Sequence, residues 1–329
     1  MTTPTDRRLL YLSRADIDAL ALTPSEIETA VETAFRGLAG GRAESLPKQG
    51  IDPTPASFFH SMPARLDAAG TVGVKWVGVA ANADDPATRH LPNINAMILL
   101  SDLRTAQLLA VMDGDAITAL RPAAVSLVAA RRLARAESRR MGFIACGVQA
   151  RAHLQAFAAV FPIRELACYS RRLETAQSFA AEARALGFEA HAVSDPRAAV
   201  AGMDIIVSSV PRAKGLKKFL DPAWLAPGAF VSATDLARCW DGTRLRDLEL
   251  LATDDRAQSR EAAAQGHIPW QGEFDAALSE LVTGSHPGRR HAAERAMFIH
   301  PGLGLGDIAV AAFALARARE RGLGTLLPR

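Results

Sequence analysis

Hydrophobic and polar positions follow two different rhythms along the chain. Near the start, apolar residues three and four positions apart predict a helix over residues 23–41. Thr23 and Glu26 suit a capping box at its first turn, and Gly40 suits its end. Residues 57–112 then contain successive apolar runs separated by Gly, Pro, Asn and Asp, without a helical pattern between them. This spacing favours an antiparallel sheet.

The second rhythm begins with a long helical pattern over residues 115–135. Pro122 lies inside that pattern, and because proline disrupts a helix interior, we expect the helix to begin there. Arg121 would then lie at the mouth of the helix. After residue 140, short apolar strands alternate with helices, which predicts a parallel, doubly wound α/β sheet.

Composition narrows the class of protein. The chain has 329 residues, of which 49% are hydrophobic and 22% are charged, and its formal net charge is only +3. These values are ordinary for a globular enzyme, and the dispersed basic residues do not indicate a nucleic-acid partner. Cys146, Cys168 and Cys239 form no paired motif, which indicates a reducing cytoplasm and no structural metal site. Neither an apolar leader nor an apolar run of membrane-spanning length is seen, so no membrane association is expected.

The stretch GFIACGVQARAHL, residues 142–154, carries a candidate phosphate-binding turn. In a dinucleotide fold, a strand ends in a glycine-rich turn, and the following helix points its first N–H groups at a pyrophosphate. Gly147 occupies the second glycine position of that fingerprint and Ala150 the third, whereas Ala145 replaces the first glycine. From these residues alone, a cofactor site and a plain strand–turn–helix are equally good interpretations.

The next predicted strand ends at Ser170-Arg171-Arg172, where the fingerprint places the residue that contacts the ribose. An acidic side chain there would select NAD, but the first one is Glu174. A hydroxyl followed by two guanidinium groups suits a 2′-phosphate, because arginine pairs with phosphate through two hydrogen bonds. We therefore predict NADP(H) as the preferred cofactor, with NAD(H) as the alternative. The other interpretation is that both arginines only begin a solvated helix.

Several stretches, in order and in spacing, resemble the ornithine cyclodeaminase/mu-crystallin family over nearly the whole chain. They are GVKWV, LPNINAMILLSD, VMDGDAITALRPAA, FIACGVQAR, and DIIVSSVP with WLAPGAFVSATD. The resemblance implies a Rossmann NAD(P)-binding domain over residues 121–302. It also implies a second α+β domain, built from residues 1–120 and 303–329, that binds substrate and forms a homodimer. The family includes ornithine cyclodeaminases, alanine dehydrogenases and imino-acid reductases.

The resemblance also implies a set of site residues. Lys75 would anchor a substrate carboxylate or transfer a proton, and Arg121 would hold the carboxylate where substrate and cofactor meet. Lys48 would assist with the same carboxylate. Asp235 would be the catalytic aspartate that holds the substrate nitrogen and shuttles its proton, although an aspartate capping a turn fits the same local sequence. The cofactor-binding residues would be Asn93, Arg121, Gly147, Val148, Gln149, Ser170, Arg171, Arg172, Ser209 and Val210.

Departures from the family pattern bear on the substrate and on the loops. His60 stands where the ornithine cyclodeaminases carry an acidic side chain for the distal amine, which argues against ornithine. Pro122 replaces a hydroxyl residue, and Thr234 replaces a glycine. His300 replaces a serine and is expected to border the nicotinamide without a catalytic role, whereas Asp307 fits the family pattern.

The combined interpretation is an NADP(H)-dependent oxidoreductase that acts at the α-carbon of an amino or imino acid. In the reductive direction, the nicotinamide delivers hydride to a C=N carbon while Asp235 supplies or orients the proton on nitrogen. One alternative is a cyclodeaminating lyase, in which the cofactor is reduced and reoxidised within one turnover. The other is a crystallin-like protein that binds a dinucleotide without turnover. The expected partners are a small amino or imino acid and a second copy of the chain.

Overall fold

The structure of the protein is a computed structural model that describes residues 8–54, 57–80, 82, 85–213 and 215–328. Met1–Arg121 with Leu303–Arg329 form one compact unit, and Pro122–Gly302 form a second. The strands are β1 (Leu9–Leu12), β2 (Ala43–Ser45), β3 (Gln49–Thr54), β4 (Ser57–Leu66), β5 (Thr71–Ala80), β6 (Ile94–Asp102), β7 (Leu108–Asp113), β8 (Arg140–Ile144), β9 (Glu165–Tyr169), β10 (Glu189–Val193), β11 (Ile205–Ser208), β12 (Phe230–Ala233), β13 (Leu250–Thr253), β14 (Ala276–Ala277), β15 (Ala296–Ile299) and β16 (Thr325–Leu327). The α-helices are α1 (Arg14–Ala19), α2 (Pro24–Ala39), α3 (Asp115–Leu133), α4 (Val148–Ala158), α5 (Leu173–Ala185), α6 (Arg256–Ala264), α7 (Leu278–Thr283) and α8 (Gly304–Arg321).

In the first unit, one sheet has the strand order β16-β1-β7-β6-β5-β4-β2, and β3 pairs with β4. The pairs are antiparallel except that of β1 with β7, which is parallel. Helix α8 packs against β4 and β5, and α2 packs against α8. Because side chains alternate along a strand, each of β4 and β5 has one face towards α8 and one face away from it.

Helix α2 covers α8 and forms as the sequence predicts. The hydroxyl of Thr23 accepts a hydrogen bond from the N–H of Glu26, and the Glu26 carboxylate accepts one from the N–H of Thr23 at 2.9 Å. This reciprocal cap satisfies N–H groups that a helix start otherwise leaves without a partner. Ile27 and Phe35, on the predicted apolar face, are 3% and 1% exposed. The predicted capping box and buried face are therefore confirmed.

In the second unit, a parallel sheet has the strand order β10-β9-β8-β11-β12-β15-β13-β14. Each neighbouring pair is parallel. The chain moves outward from β8 through β9 to β10 and then returns to β11 on the other side of β8. Open α/β sheets bind their ligands at such a switch point, outside the carboxyl ends of the strands. The predicted doubly wound α/β sheet and the second, antiparallel-sheet domain are confirmed.

The start of α3 differs from its prediction. The helix begins at Asp115 and continues through Pro122, so the expectation that it begins at Pro122 is wrong. The side chain of Asp113 accepts a hydrogen bond from the N–H of Asp115 at 2.9 Å, which caps the earlier start. Every residue from Ala123 to Ala130 is at most 3% exposed. This burial outweighs the roughly 3 kcal/mol that an interior proline costs a helix, and it places Arg121 within α3 rather than at its mouth.

Candidate active site

The glycine turn joins β8 to α4 at the carboxyl edge of the parallel sheet. Ala145 adopts φ 73°, in the left-handed region that costs an L-residue about 1 kcal/mol and glycine almost nothing. Gly147 caps α4, and a Cβ built on it would meet no described atom within 4 Å. Val148 and Gln149 are the first residues of α4, and Val148 is 63% exposed although it is apolar. Protein packing does not demand a glycine here, whereas a bare backbone in front of helix N–H groups fits a pyrophosphate.

Hydrogen bonds connect this turn to the ends of two neighbouring strands. The N–H of Cys146 donates to Ser170 Oγ at 3.0 Å, just beyond β9. Ser209 Oγ donates to the carbonyl of Ala145 at 3.3 Å, just beyond β11. The structure therefore brings together the candidate cofactor residues that follow β8, β9 and β11.

Arg171 and Arg172 follow Ser170 at the same edge of the sheet. Arg172 is the N-cap residue of α5, and the side chains of both arginines are exposed. Neither arginine forms an ion pair with an acidic residue in the described part of the chain. Two cations without acidic partners, next to the positive end of a helix, favour an anionic ligand.

Asp235 lies two residues beyond β12 and is 2% exposed. Its carboxylate accepts four hydrogen bonds of 3.0 to 3.1 Å. The donors are Ser208 Oγ, the N–H groups of Val210 and Ala237, and Cys239 Sγ. Leu236 and Ala237 adopt left-handed φ angles of 62° and 56°. Strain in consecutive non-glycine residues persists only where the surroundings fix the backbone, and it clusters at functional sites.

A second layer of contacts orients the Asp235 carboxylate. Trp240 is fully buried, and its Nε1 donates to Ser208 Oγ at 3.1 Å, which in turn donates to Asp235. Burial and the neighbouring Asp235 charge raise the pKa of Cys239, so its sulfur remains a thiol and a donor. Asp235 is thus held in one orientation, which suits a group that orients a ligand nitrogen. Its predicted proton transfer stays a prediction.

Lys75, Arg121 and Asp307 form a buried charged cluster in the first unit. Lys75 Nζ lies 2.7 Å from one carboxylate oxygen of Asp307, and Arg121 Nη2 lies 3.0 Å from the other. The exposed fractions of the three side chains are 3%, 7% and 0%. Two cationic side chains therefore share one carboxylate, which leaves an excess of positive charge when both are protonated.

The pKa values of this cluster reflect the same imbalance. Burial lowers the pKa of Lys75 below its ordinary range, and Arg121 adds to this effect, whereas Asp307 opposes it. Burial acts to raise the pKa of Asp307, but Arg121 and Lys75 outweigh burial, and the pKa lies below its usual value. A carboxylate ligand beside Lys75 and Arg121 would supply the missing negative charge.

The remaining predicted residues of the first unit lie around this sheet. Lys48 is partly buried between β2 and β3, and Asn93 is exposed just before β6. Across β4 and β5, Met62 pairs with Lys75 and His60 pairs with Val77, which lies two residues after Lys75 on β5. His60 therefore shares the sheet face of Lys75.

The sequence did not predict that Asp307 joins Lys75 to Arg121. Asp307 lies 232 residues from Lys75 and 186 residues from Arg121 along the chain. One signal was present, because Asp307 is an acidic residue in the apolar stretch GLGLGDIAVAAF. A carboxylate that is 0% exposed in such a helix requires a cationic partner.

A second unpredicted feature is a buried network in the second unit. His153 Nδ1 donates to the carbonyl of Gln149 at 2.8 Å, so its Nε2 accepts from Ser126 Oγ at 3.0 Å. Ser232 Oγ donates to Ser126 Oγ at 2.7 Å. Since the single hydroxyl hydrogen of Ser126 is used in its hydrogen bond to His153, His300 Nε2 must donate to Ser126 Oγ at 3.3 Å. Burial lowers the pKa of His153 to about 4, so this ring is neutral near pH 7.

The network fixes the orientation and the tautomer of His300. His300 follows β15 directly, and β15 lies between β12 and β13 in the sheet. Its ring stacks on Phe298 with a centroid distance of 5.0 Å. His300 and Asp235 therefore both follow neighbouring strands at the carboxyl edge. The expectation that His300 borders the nicotinamide stays a prediction.

Comparisons with known proteins extend over almost the whole chain. The model of the ornithine cyclodeaminase/mu-crystallin family matches residues 9–322. An alanine dehydrogenase of Archaeoglobus fulgidus is 30% identical over 96% of this chain and 97% of its own. The solved structure of Δ1-pyrroline-2-carboxylate reductase from Thermococcus litoralis, in complex with NADH and L-proline, matches with a TM-score of 0.86 and 30% identity, over 96% of this chain and 99% of its own. An archaeal alanine dehydrogenase dimer with bound NAD matches with a TM-score of 0.87 and 29% identity, over 97% and 99%.

The described residues contain neither a membrane-spanning helix nor a metal-binding cluster. No helix among them is long and apolar enough to cross a membrane. They contain no group of three or more His, Cys, Asp or Glu side chains placed to hold a metal ion. Because the family model and the relatives match from near the first residue to near the last, the resemblance is confirmed, and the chain belongs to the ornithine cyclodeaminase/mu-crystallin family.

Proposed function

We propose that the protein is an NADP(H)-dependent oxidoreductase that reduces the C=N bond of an imino acid, or oxidises the matching amino acid in reverse. The observation that carries this proposal is the buried cluster of Lys75, Arg121 and Asp307, whose excess positive charge suits the α-carboxylate of such a substrate. The similarity to an alanine dehydrogenase and to a Δ1-pyrroline-2-carboxylate reductase supports the same class of reaction.

The residues of the first unit bind the substrate in this proposal. Arg121 pairs with the carboxylate, and the bound anion favours the charged form of Lys75 because an adjacent negative charge raises the pKa of a lysine. His60 lies on the same sheet face as Lys75 and is a poor partner for a second ammonium group. This placement disfavours ornithine as the substrate.

The residues of the second unit bind the cofactor. The N–H groups at the start of α4 would hold the pyrophosphate near Gly147, and Ser209 and Val210 follow the end of the neighbouring strand β11. When bound, NADPH supplies the hydride. Asp235 orients the substrate nitrogen, and its four protein donors keep the carboxylate from rotating.

The preference for NADP(H) rests on Ser170, Arg171 and Arg172. Both guanidinium groups are exposed beyond β9, where the adenosine ribose is expected. A 2′-phosphate would accept hydrogen bonds from both arginines and from the serine hydroxyl. The solved relatives described above carry NADH and NAD, so the proposed preference rests on residues of the present chain alone.

A homodimer is proposed from the sheet face that points away from α8. On β5 this face carries Val72 and Trp76, which are 38% and 44% exposed. Phe59 stacks on Trp76 with a centroid distance of 5.7 Å and continues the apolar surface onto β4. A second copy of the chain is the proposed occupant, since a matched archaeal alanine dehydrogenase is a dimer.

The free, buried thiols of Cys146, Cys168 and Cys239 support a reducing, cytoplasmic location.

The function is tested by following NADPH and NADH oxidation with a panel of imino acids. Cyclic imino acids are offered directly, and pyruvate, glyoxylate and oxaloacetate are offered with ammonia or methylamine. We expect imine-dependent oxidation of the cofactor, with NADPH preferred. Arg121→Ala and Asp235→Ala should each lower kcat/KM by about 100-fold, as expected for a lost charge-assisted hydrogen bond.

The controls separate the proposed reaction from its alternatives. Arg260 is exposed and pairs with Glu273 on the surface, so Arg260→Gln should leave turnover unchanged. Replacing both Arg171 and Arg172 by Ala should raise KM for NADPH about 100-fold and leave NADH nearly unaffected. Ammonia release from ornithine without net cofactor oxidation would assign a cyclodeaminase instead. Binding of NADPH without turnover of any imino acid would contradict the enzymatic proposal.

A further inference from the structure

Arg151 lies near the start of α4 and contacts the candidate phosphate-binding turn. Its Nη1 donates to the carbonyl of Cys146 at 3.0 Å and to the carbonyl of Gly147 at 3.1 Å. Side chains on a helix lean towards the helix N-terminus, so a residue four positions after Gly147 can reach back to the turn. One guanidinium group therefore holds two successive carbonyls of the turn.

Holding these carbonyls also fixes the direction of two N–H groups. A trans peptide bond is planar, so the C=O of one residue points opposite to the N–H of the next. The carbonyl of Cys146 thus fixes the N–H of Gly147, and the carbonyl of Gly147 fixes the N–H of Val148. Gly147 and Val148 are exposed, and their N–H groups have no acceptor within the described residues. Both N–H groups point away from Arg151 and are available to an anion.

Helix α5 holds the other side of the guanidinium group. Nε and Nη2 of Arg151 donate to the two carboxylate oxygens of Glu182, at 2.7 and 2.5 Å. The guanidinium also lies over the ring of Phe179, 5.5 Å from its centroid, and Phe179 is 1% exposed. Phe179 makes an edge contact with Phe143 of β8, with ring centroids 5.0 Å apart. Arg151 is therefore fixed between α5 and the turn, although its side chain is 43% exposed.

The Arg151–Glu182 pair adds no net charge beside the turn. Hydrogen bonding from Arg151 holds the pKa of Glu182 below its usual range, so both groups are charged near pH 7. Because the two opposite charges are in contact, the pair as a whole attracts a nearby anion only weakly. Its effect on a ligand is therefore expected to come from the orientation of the turn.

We propose that Arg151 is a positioning residue for dinucleotide binding, which aligns the N–H groups of Gly147 and Val148 with the pyrophosphate without contacting the ligand. This inference rests on the proposed function, in which the turn binds the pyrophosphate of the cofactor. NADPH and NADH share that pyrophosphate, so Arg151 acts on both. Arg171 and Arg172, in contrast, act on the 2′-phosphate alone. Affinity for the shared part of the cofactor and choice between the two cofactors then belong to different arginines.

The dissociation constants of NADPH and NADH, measured by fluorescence titration, test this role without turnover. Arg151→Met keeps an apolar stem and removes the donors, and we expect it to weaken both cofactors about tenfold, which corresponds to about 1.4 kcal/mol. ADP-ribose keeps the pyrophosphate and lacks the nicotinamide, so calorimetry should show the same loss. Arg151→Lys keeps the charge but loses the planar fork, so its affinity should fall between those of the wild type and Arg151→Met.

Glu182 separates orientation from charge. Arg151→Met leaves the Glu182 carboxylate unpaired near the turn, where its negative charge would itself repel a phosphate. The double variant Arg151→Met/Glu182→Gln removes that charge. If Arg151 orients the turn, the double variant remains about tenfold weaker than the wild type. Recovery of wild-type affinity in the double variant would mean that only the charge of Glu182 matters, and it would contradict the proposal.

Kinetics and stability exclude a general structural effect. Arg151→Met should raise KM for the cofactor about tenfold and leave kcat within about twofold, because Arg151 does not touch the reacting atoms. The melting temperature should change little, since an exposed ion pair contributes little to stability. Arg36 is the matched control, because its Nε and Nη2 pair with Glu32 on α2 and its side chain is 49% exposed. Arg36→Met should leave both dissociation constants unchanged.

Other outcomes overturn the inference in distinguishable ways. Unchanged affinities in Arg151→Met contradict it, and a large drop in melting temperature alone would assign Arg151 a purely structural role. A loss of affinity for NADPH alone means that Arg151 contacts the 2′-phosphate. If both cofactors bind in an Arg151-dependent manner but no imino acid is turned over, the enzymatic proposal fails and the positioning role stands. If the wild type binds neither cofactor, both proposals fail.

Discussion

In the candidate site, cationic side chains outnumber the acidic side chains that pair with them. Within the described residues, Asp307 is the one carboxylate that pairs with both Lys75 and Arg121, and the Nε of Arg238 is buried without a hydrogen-bond partner. Buried charges are tolerated in proteins when they are paired and hydrogen-bonded. In the cluster of Lys75, Arg121 and Asp307, two cations share one carboxylate, so an anionic ligand would complete the charge balance. This incomplete pairing is the physical basis of the proposed specificity for an anionic substrate.

Replacing Asp307 by Asn tests the cluster. The two buried cations would then lose their shared carboxylate, and we expect the free energy of unfolding to fall by about 3 kcal/mol. Denaturant unfolding measures the change. The matched control is Asp67→Asn, because Asp67 pairs with Arg65 where both side chains are about one-third exposed. That change should cost less than about 1 kcal/mol. Equal effects of the two variants would mean that Asp307 does not bear the charge balance of a buried cluster.

Residue-level prediction from the sequence was possible where the chemistry is local. The turn at Gly147 and the arginines beyond β9 were found because the fingerprint occupies consecutive positions. Ala145 keeps the turn by adopting φ 73°, a strain that the sequence permits but does not reveal. The contacts of Asp307 with Lys75 and Arg121 were not predicted, since they join distant parts of the chain.

At the scale of elements, α3, α4 and β15 are joined by the Ser126–His153–His300 network. Ser126 lies on α3, His153 on α4, and His300 directly after β15. Each polar atom of this network sits among buried apolar residues, so its hydrogen bonds restrict how the three elements pack. The sequence did not predict it, because serine and histidine in separate helices carry no periodic signal. The same burial that encloses Ser126 also explains why α3 runs through Pro122.

The network makes folding stability depend on pH through His153. The unfolded chain protonates this histidine near its ordinary pKa of 6.5, whereas the folded protein resists protonation down to about 4. The unfolded state therefore binds more protons in this window, and the free energy of unfolding should fall as the pH drops from 6.5 towards 4. The full shift corresponds to about 3 kcal/mol.

Denaturant unfolding at several pH values checks this expectation. His153→Gln should flatten the pH dependence in that window, although it lowers stability at neutral pH by removing two buried hydrogen bonds. His191 is exposed on β10 and serves as the control, so His191→Gln should retain the wild-type pH dependence. A wild-type slope that survives in His153→Gln would show that another group titrates.

At the scale of the whole molecule, each of the two units has its own sheet and its own proposed ligand chemistry. The alternation of strands and helices after residue 140 was sufficient to predict the parallel sheet. The order of its strands was not predictable from that alternation, because neighbours such as β12 and β15 are distant in sequence. The sequence likewise did not predict the apolar sheet face around Trp76, because residues of different strands form that face only through their pairing register.

The proposed homodimer is tested at Trp76. Trp76→Glu places a charge at the centre of the exposed apolar face, and we expect it to convert a dimer into a monomer in analytical ultracentrifugation. Leu186 is 72% exposed at the end of α5 in the other unit, so Leu186→Glu should leave the mass unchanged. A wild-type monomer, or a Trp76→Glu variant that remains a dimer, would contradict the assignment of this face.

The central claim is that the protein transfers a hydride from its cofactor to the α-carbon of an anionic imine. The most direct measurement uses NADPH that carries deuterium at both transferable positions of the nicotinamide, together with oxaloacetate and ammonia or a cyclic imino acid. The account predicts one deuterium on the α-carbon of the amino-acid product for every NADPH that is oxidised. A product without deuterium, or no NADPH oxidation with any imino acid, would contradict it.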